Sequence, residues 1–337
     1  MSRLRESLLS ALAYYDAFEV PLTSQEVFLA LPALDGPRPS FEEVERSLAE
    51  AVRVGRAASA DGFYFLPGRE ALVTTRRARY ALAEGKYARV RRFLSIARFA
   101  PFLRAVFVCN TLARSYARPE SDIDLFLIAT PGRIWLTRLC VTGLAALLRV
   151  RPTEEVSADR LCLSFFVTTE ALDLKPLAIE DDVYLAHWLQ ELCPVYDEAG
   201  IVRRSFVENG WLRDVLPETR VQVPSPRRLV RARLLGAKRA LERLLDAAFG
   251  DRLEDWAKRR QLAWMPPALK AAAGTPASDV ILNDSVLKFH DRDRRAEIRD
   301  AYRRKMQDLL TSHPDESRDL DSGFRRDATE YAIRSLA

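Results

Sequence analysis

The chain has 337 residues, 48% of them apolar and 29% charged: enough for two or three domains with buried cores, and too apolar for large-scale disorder. Fifty-two Lys and Arg against 47 Asp and Glu leave a net +5, a mild basic excess that suits phosphate-bearing ligands without requiring one. The four cysteines, Cys109, Cys140, Cys162 and Cys193, are far apart among apolar neighbours, which excludes a cysteine-type zinc site and fits free thiols in a reducing cytoplasm.

Residues 3–16 carry apolar side chains at helical spacing with charges between them, the pattern of an amphipathic helix and not of a secretory signal. Thr23 with Glu26, and Ser40 with Glu43, have capping-box spacing and open a second helix to about Leu31 and a third to about Val54. Asp61-Gly62 lies between short segments able to pair as a hairpin. Three short helices followed by a hairpin is the order of a winged helix, expected over 1–72. Its third helix holds Glu42, Glu43, Glu45 and Glu50 against Arg46 and Arg53, the wrong sign for a DNA groove, so DNA binding is not favoured.

Residues 73–100 read as one basic connecting helix, with Arg76, Lys86, Arg89 and Arg92 among its cations and one glutamate. It is either a solvated face or a phosphate-facing ridge beside a site. Ala105 to Cys109 and Leu125 to Ala129 are short apolar strands, 133–148 a helix, and Leu161 to Thr168 a third strand. The longest apolar stretch, Ile134 to Val150, is interrupted by Arg138 and Arg149 and is too short and charged to span a bilayer, so no membrane partner is expected. Helices are expected at 180–193 and 201–214, a linker at 217–226, a basic helix at 227–249, loop at 265–280 and a charged helix at 291–310. Residues 101–216 thus form an α/β core with a small mixed sheet, and 217–337 a helical C-terminal region. Trp135, Trp188 and Trp211 fall at helical spacing among apolar residues and read as core. His187, His290 and His313 are too scattered for a triad with Ser164, and Lys288 is a weak candidate to reach a cleft.

The informative stretch is Asn110-Thr111-Leu112-Ala113-Arg114 followed by Ser121-Asp122-Ile123-Asp124-Leu125. Alternation in a strand points Asp122 and Asp124 to one side. Two carboxylates so placed repel each other unless a cation neutralises them, and oxygen ligands of this kind suit Mg²⁺ or Mn²⁺. Upstream, a strand breaks at Asn110-Thr111 into a helix start, where a hydroxyl and free backbone N–H groups can cradle phosphate.

Strand, polar turn, helix start and D-x-D strand together resemble the nucleotidyltransferases of the DNA polymerase β superfamily, over roughly residues 100–170. The tract from Tyr14 to Thr23 is similar to the winged-helix segment ahead of some uncharacterised members. The resemblance implies that Asp122 and Asp124 hold one or two metal ions against a nucleoside triphosphate. It also implies that Asn110, Thr111, Arg114 and Ser121 form the nucleotide-binding set, Thr111 on the β and γ phosphates. Arg114 would add charge to the cradle or pair with Glu120. Asn110 stands where the family has glycine. The family's third carboxylate is missing from 161–168, whose one face would carry Cys162, Ser164 and Phe166; Asp159, Glu170 and Asp173 are the candidates to substitute. The expected activity is transfer of a nucleoside monophosphate to a hydroxyl on a small molecule, protein or RNA end. The alternative is a degenerate transferase that binds nucleotide and signals through the winged helix.

Overall fold

The first sixty-odd residues follow their local signals closely. A computed structural model describes residues 2–311, apart from 35, 154, 221, 222, 224, 276, 277, 291 and 292. Helix α1 (Ser2–Asp16) leads to β1 (Leu22–Thr23), α2 (Ser24–Ala30), α3 (Phe41–Arg53) and the hairpin β2 (Ala58–Ala60) and β3 (Phe63–Phe65). Both capping boxes form: the Thr23 and Ser40 hydroxyls accept from the N–H of Glu26 and Glu43, whose carboxylates accept from the cap N–H groups in return. At the hairpin tip Asp61 and Gly62 have φ of 52° and 82°, the left-handed pair that a two-residue turn between twisted strands demands. The sheet order is β1-β3-β2, all antiparallel, closed over Leu8, Leu12, Val27, Val44 and Leu48.

Helix α4 (Ala71–Ala97) buries Leu72, Val73, Ala83, Tyr87, Val90 and Leu94 along one stripe and runs into the second unit. That unit contains β4 (Leu103–Val108), α5 (Asn110–Ala113), β5 (Ile123–Ala129), α6 (Ile134–Leu147), β6 (Leu161–Thr168), α7 (Val183–Glu191), β7 (Cys193–Asp197), α8 (Ile201–Glu208) and α9 (Leu212–Val215). The chain continues through α10 (Leu235–Phe249), α11 (Asp251–Trp264), α12 (Pro267–Ala272), β8 (Asp279–Leu282), β9 (Val286–His290) and α13 (Arg295–Thr311). Six strands form one mixed sheet in the order β7-β4-β5-β6-β9-β8, with β5 and β6 parallel and the other neighbours antiparallel. The architecture is mixed α/β. Ile123, Leu125 and Leu127 face the core shared with α4 and α6, whereas Phe126 and Ile128 face α7 and α8.

Four departures from the local reading have identifiable causes. The helix expected to 193 stops at Glu191 and the chain enters β7, an edge strand, where Pro194 is tolerated because its missing N–H breaks no internal ladder. Residues 227–234 are not helical; Val230 bridges Tyr196, and α10 begins only after Leu234, at φ 55°. Residues 265–280 contain α12 and the start of β8. The region beyond 217 is also not helical throughout: β9 pairs with β6, and α13 returns to α1, where Tyr302 bonds Ser10 and Lys305 pairs with Asp16.

Helices α10 and α11 dock through buried polar residues beside the apolar Leu245, Leu253, Ala257 and Leu262. Lys238 is buried against Glu198 at 2.8 Å, Glu242 accepts from Arg104 and the Phe102 N–H, and Leu241 and Leu244 are left exposed. Glu254 of α11 accepts from the N–H groups of Trp135 and Leu136, so α6, which has no local cap, is capped from 118 residues away. No helix among the described residues is long and apolar enough to cross a membrane.

Candidate active site

Asp122 immediately precedes β5 and Asp124 is its second residue, both half-buried. Ile123 and Leu125 drive into the core between α4 and α6, so strand alternation turns the two carboxylates to the opposite side. The parallel register sets Asp124 beside Cys162 of β6, and the Asp122, Asp124 and Cys162 ligand atoms lie within 4.8 Å of one another. Burial, then the neighbouring Asp124, raises the Asp122 carboxyl to about 6. Burial and the same carboxylate push the Cys162 thiol up to about 12. Two carboxylates at this spacing fit a hard divalent cation such as Mg²⁺ or Mn²⁺; a neutral thiol fits one less well.

Asn110 completes the cluster. It takes the left-handed conformation, φ 58°, which Asn tolerates better than most residues and which the expected glycine would adopt freely. Its Nδ2 donates to Asp124 Oδ2 at 2.7 Å, while its Oδ1 accepts from Trp188 Nε1 at 3.0 Å and Tyr184 Oη at 3.2 Å, both on α7. The indole can only donate, so the amide orientation follows from the bonding. Asn110 and Asp124 open onto a cleft of about 300 Å³ whose walls include Phe165, Tyr184, Trp188 and Lys288. Lys288 reaches it because β9 joins the sheet beside β6; its ammonium pairs with Asp279 at 2.6 Å and burial lowers its pKa.

The remaining expected residues scatter. Thr111 is half-buried, does not line this cleft, and its carbonyl accepts from the Tyr116 N–H. The helix it opens is a single turn. Ser121 turns its hydroxyl to the Arg118 carbonyl, and its own carbonyl accepts from Lys86. Arg114 joins neither a phosphate cradle nor Glu120: its Nε lies 2.5 Å from Glu191, and its guanidinium packs over the rings of Phe18 and Tyr15. None of the candidate third carboxylates reaches the cluster. Asp159 pairs with Lys86 at 3.1 Å and Arg89 at 2.9 Å, while Glu170 and Asp173 are exposed beyond the far end of β6. Phe166 does not share a face with Cys162. A register shift opposite Asp124–Phe126 inserts a residue into β6, sending Phe166 into the core under α4 and leaving Ser164 and Phe165 on the cleft.

The cations at the start of α4 are engaged: Arg76 pairs with Glu26 and Arg77 with Asp61. Farther along α4, Lys86 approaches Asp122 and is almost fully buried. His187 lies in the contact between α7 and α1, stacked on Tyr14 with ring centres 3.9 Å apart; burial and Arg114 lower its pKa to about 3. His313 lies outside the described residues. Trp135 is core as expected, and Trp188 is core with a polar edge. Tyr184 and Asp279 were not recognisable as site residues, because nothing in their local spacing differs from that of a surface helix or strand. Compared with protein-family models, curated proteins and solved structures, the chain matches none.

Proposed function

We propose that this chain is a metal-dependent nucleotidyltransferase of the DNA polymerase β type, binding a nucleoside triphosphate at Asp122 and Asp124 and moving its monophosphate to a hydroxyl acceptor. The observation that carries this reading is the pair of same-side carboxylates at the start of β5, next to the left-handed Asn110 turn that ends the antiparallel neighbour β4. Both carboxylates would hold the ion, and Asn110 would orient Asp124. When bound, a divalent cation offsets charge developing at the α-phosphate during in-line attack. The aromatic walls at Phe165 and Trp188 offer a surface for a base, and Lys288 a cation for phosphate. The order α1-β1-α2-α3-β2-β3, with sheet order β1-β3-β2, supports a winged-helix reading of the N-terminal unit. Free cysteines favour a cytoplasmic location.

A second reading, nucleotide binding without transfer, is favoured by Cys162 standing where a third carboxylate would serve as base. In that case Arg114, held between Glu191 and Tyr15, links the turn after β4 to α1 and so to the N-terminal unit. Calorimetric titration of ATP, GTP, CTP and UTP with Mg²⁺, on wild type and Asp122→Ala/Asp124→Ala, tests both. Metal-dependent binding that disappears in the double variant supports the site, and a labelled-nucleotide transfer assay then separates enzyme from sensor. No binding of any nucleotide by the wild type refutes both readings.

A further inference from the structure

A second cationic feature lies away from the carboxylates, in a groove between α4 and the extended segment before α10. Arg91, Arg92 and Arg98 come from α4 and its C-terminal end, and Arg231 and Arg233 from the opposite wall; no acidic residue lines it. Arg91, Arg92, Arg231 and Arg233 are exposed, and among the described residues none forms an ion pair with a carboxylate. The earlier cations of α4 behave differently. Arg76, Arg77, Lys86 and Arg89 each have a carboxylate partner, so the unpaired ones are concentrated at this groove.

The groove has a built floor. Val230 bridges Tyr196 of β7, which fixes the extended segment to the sheet edge. Arg98 Nη1 donates to the Arg231 carbonyl at 3.2 Å, tying the two walls together. Arg228 pairs with Glu84 and stacks on Tyr87, anchoring the same segment to α4. The unpaired guanidinium groups are therefore carried on two walls that are already joined, and among the described residues no carboxylate pairs with them to offset their mutual repulsion. A multivalent anion would relieve it. All five cations are arginine, whose planar fork and weak hydration suit phosphate better than an ammonium does.

We infer that this groove binds the phosphodiester backbone of a single-stranded nucleic acid. The concave shape favours a chain over a bilayer: a flat headgroup layer meets the rims of a groove and not its depth. The Arg98–Arg231 hydrogen bond joins the two walls at one point, and a flexible single backbone can follow the guanidinium groups on both sides of it, whereas a rigid duplex keeps its phosphates on two fixed ridges. With charge on both walls and no aromatic ring among the lining residues, the groove reads backbone and not base. The inference is independent of the carboxylate site, and Asp122→Ala/Asp124→Ala is expected to leave this binding unchanged.

The test is fluorescence anisotropy of a labelled mixed-sequence single-stranded RNA 12-mer, and of the same sequence as DNA, titrated with the full chain over a series of salt concentrations. Wild type is expected to bind both within a few-fold of each other, and a duplex of that sequence more weakly. Arg92→Glu/Arg231→Glu should weaken single-strand binding at least tenfold. The milder Arg91→Ala/Arg233→Ala should flatten the salt dependence by roughly 0.7 for each phosphate that is no longer neutralised. Arg252→Glu, an exposed change on α11, should do neither. Circular dichroism melting confirms that each variant is folded. The inference is overturned if wild type binds no single strand, if both groove variants bind as wild type does, or if Arg252→Glu weakens binding equally. It also fails if the groove variants no longer bind phosphatidylserine vesicles yet still bind RNA as wild type does.

Discussion

Asn110, the first residue of α5, donates its side-chain amide to Asp124 of β5 across 2.7 Å, although the two lie 14 residues apart. The bond occupies one oxygen of the carboxylate proposed to hold a metal ion, and the donor is itself held by Tyr184 and Trp188. A glycine here would leave Asp124 unhindered. If Asp124 holds a metal ion as proposed, Asn110 would trade metal affinity for a fixed carboxylate.

Asn110→Gly is accordingly expected to tighten Mn²⁺ or Mg²⁺ binding. A hydrogen bond to a charged group is worth about 1.5–3 kcal/mol, so the gain is at most roughly tenfold to a hundredfold. The φ of 58° suits glycine, while removal of the bonds to Tyr184 and Trp188 should lower the melting temperature slightly. Metal titration followed by calorimetry measures this; unchanged affinity would mean that the amide does not compete with the ion.

Cys162→Asp supplies a third oxygen ligand in the position paired with Asp124. Mg²⁺ affinity and any transfer rate should rise, while Cys162→Ser, with no charge, should change neither. If Cys162→Asp proves inert in a labelled-nucleotide assay, the missing carboxylate is not what limits the reaction.

Arg114 and Glu191 form a buried pair, and removing one partner leaves the other charge uncompensated. Glu191→Ala should cost about 3–5 kcal/mol in urea unfolding, and Arg114→Met/Glu191→Leu should recover most of it. Equal stability of single and double variants would show that the pair is not coupled.

His187, held near pKa 3 by burial and Arg114, gives a pH signature. Below the ordinary histidine value of about 6.5 the unfolded chain takes up a proton that the folded chain refuses, so stability falls with falling pH by up to about 1.4 kcal/mol per unit. Asp122, raised to about 6, works in the opposite direction below that pH, so the useful quantity is a difference between proteins. His187→Asn should be less stable at pH 7.5 yet lose less stability than wild type between pH 6.5 and 5. Parallel melting-temperature profiles would exclude His187 as the source.

Much of the N-terminal unit and the position of the carboxylate pair were legible because their causes are local. A capping box spans three residues, a hairpin turn two, and the same-side placement of Asp122 and Asp124 needs only the pleat of one strand. Even the left-handed Asn110 turn agrees with residue type. The α/β alternation of 105–168 was visible for the same reason: apolar period and length are written within each segment.

What local pattern does not encode is which distant surface a segment meets. The Arg114–Glu191 pair spans 77 positions, and the Glu254 cap on α6 spans 118. Lys238 and Glu242 read as solvated charges yet lie buried, because Glu198 and Arg104 meet them. The extra residue in β6 that separates Phe166 from Cys162 appears only when β5 is laid beside it. The same holds for β9, whose arrival next to β6 brings Lys288 to the cleft. In each case a contact with a group far along the chain decides the outcome, for the buried charges by offsetting the cost of their desolvation, and that pairing exists only once the sheet is assembled.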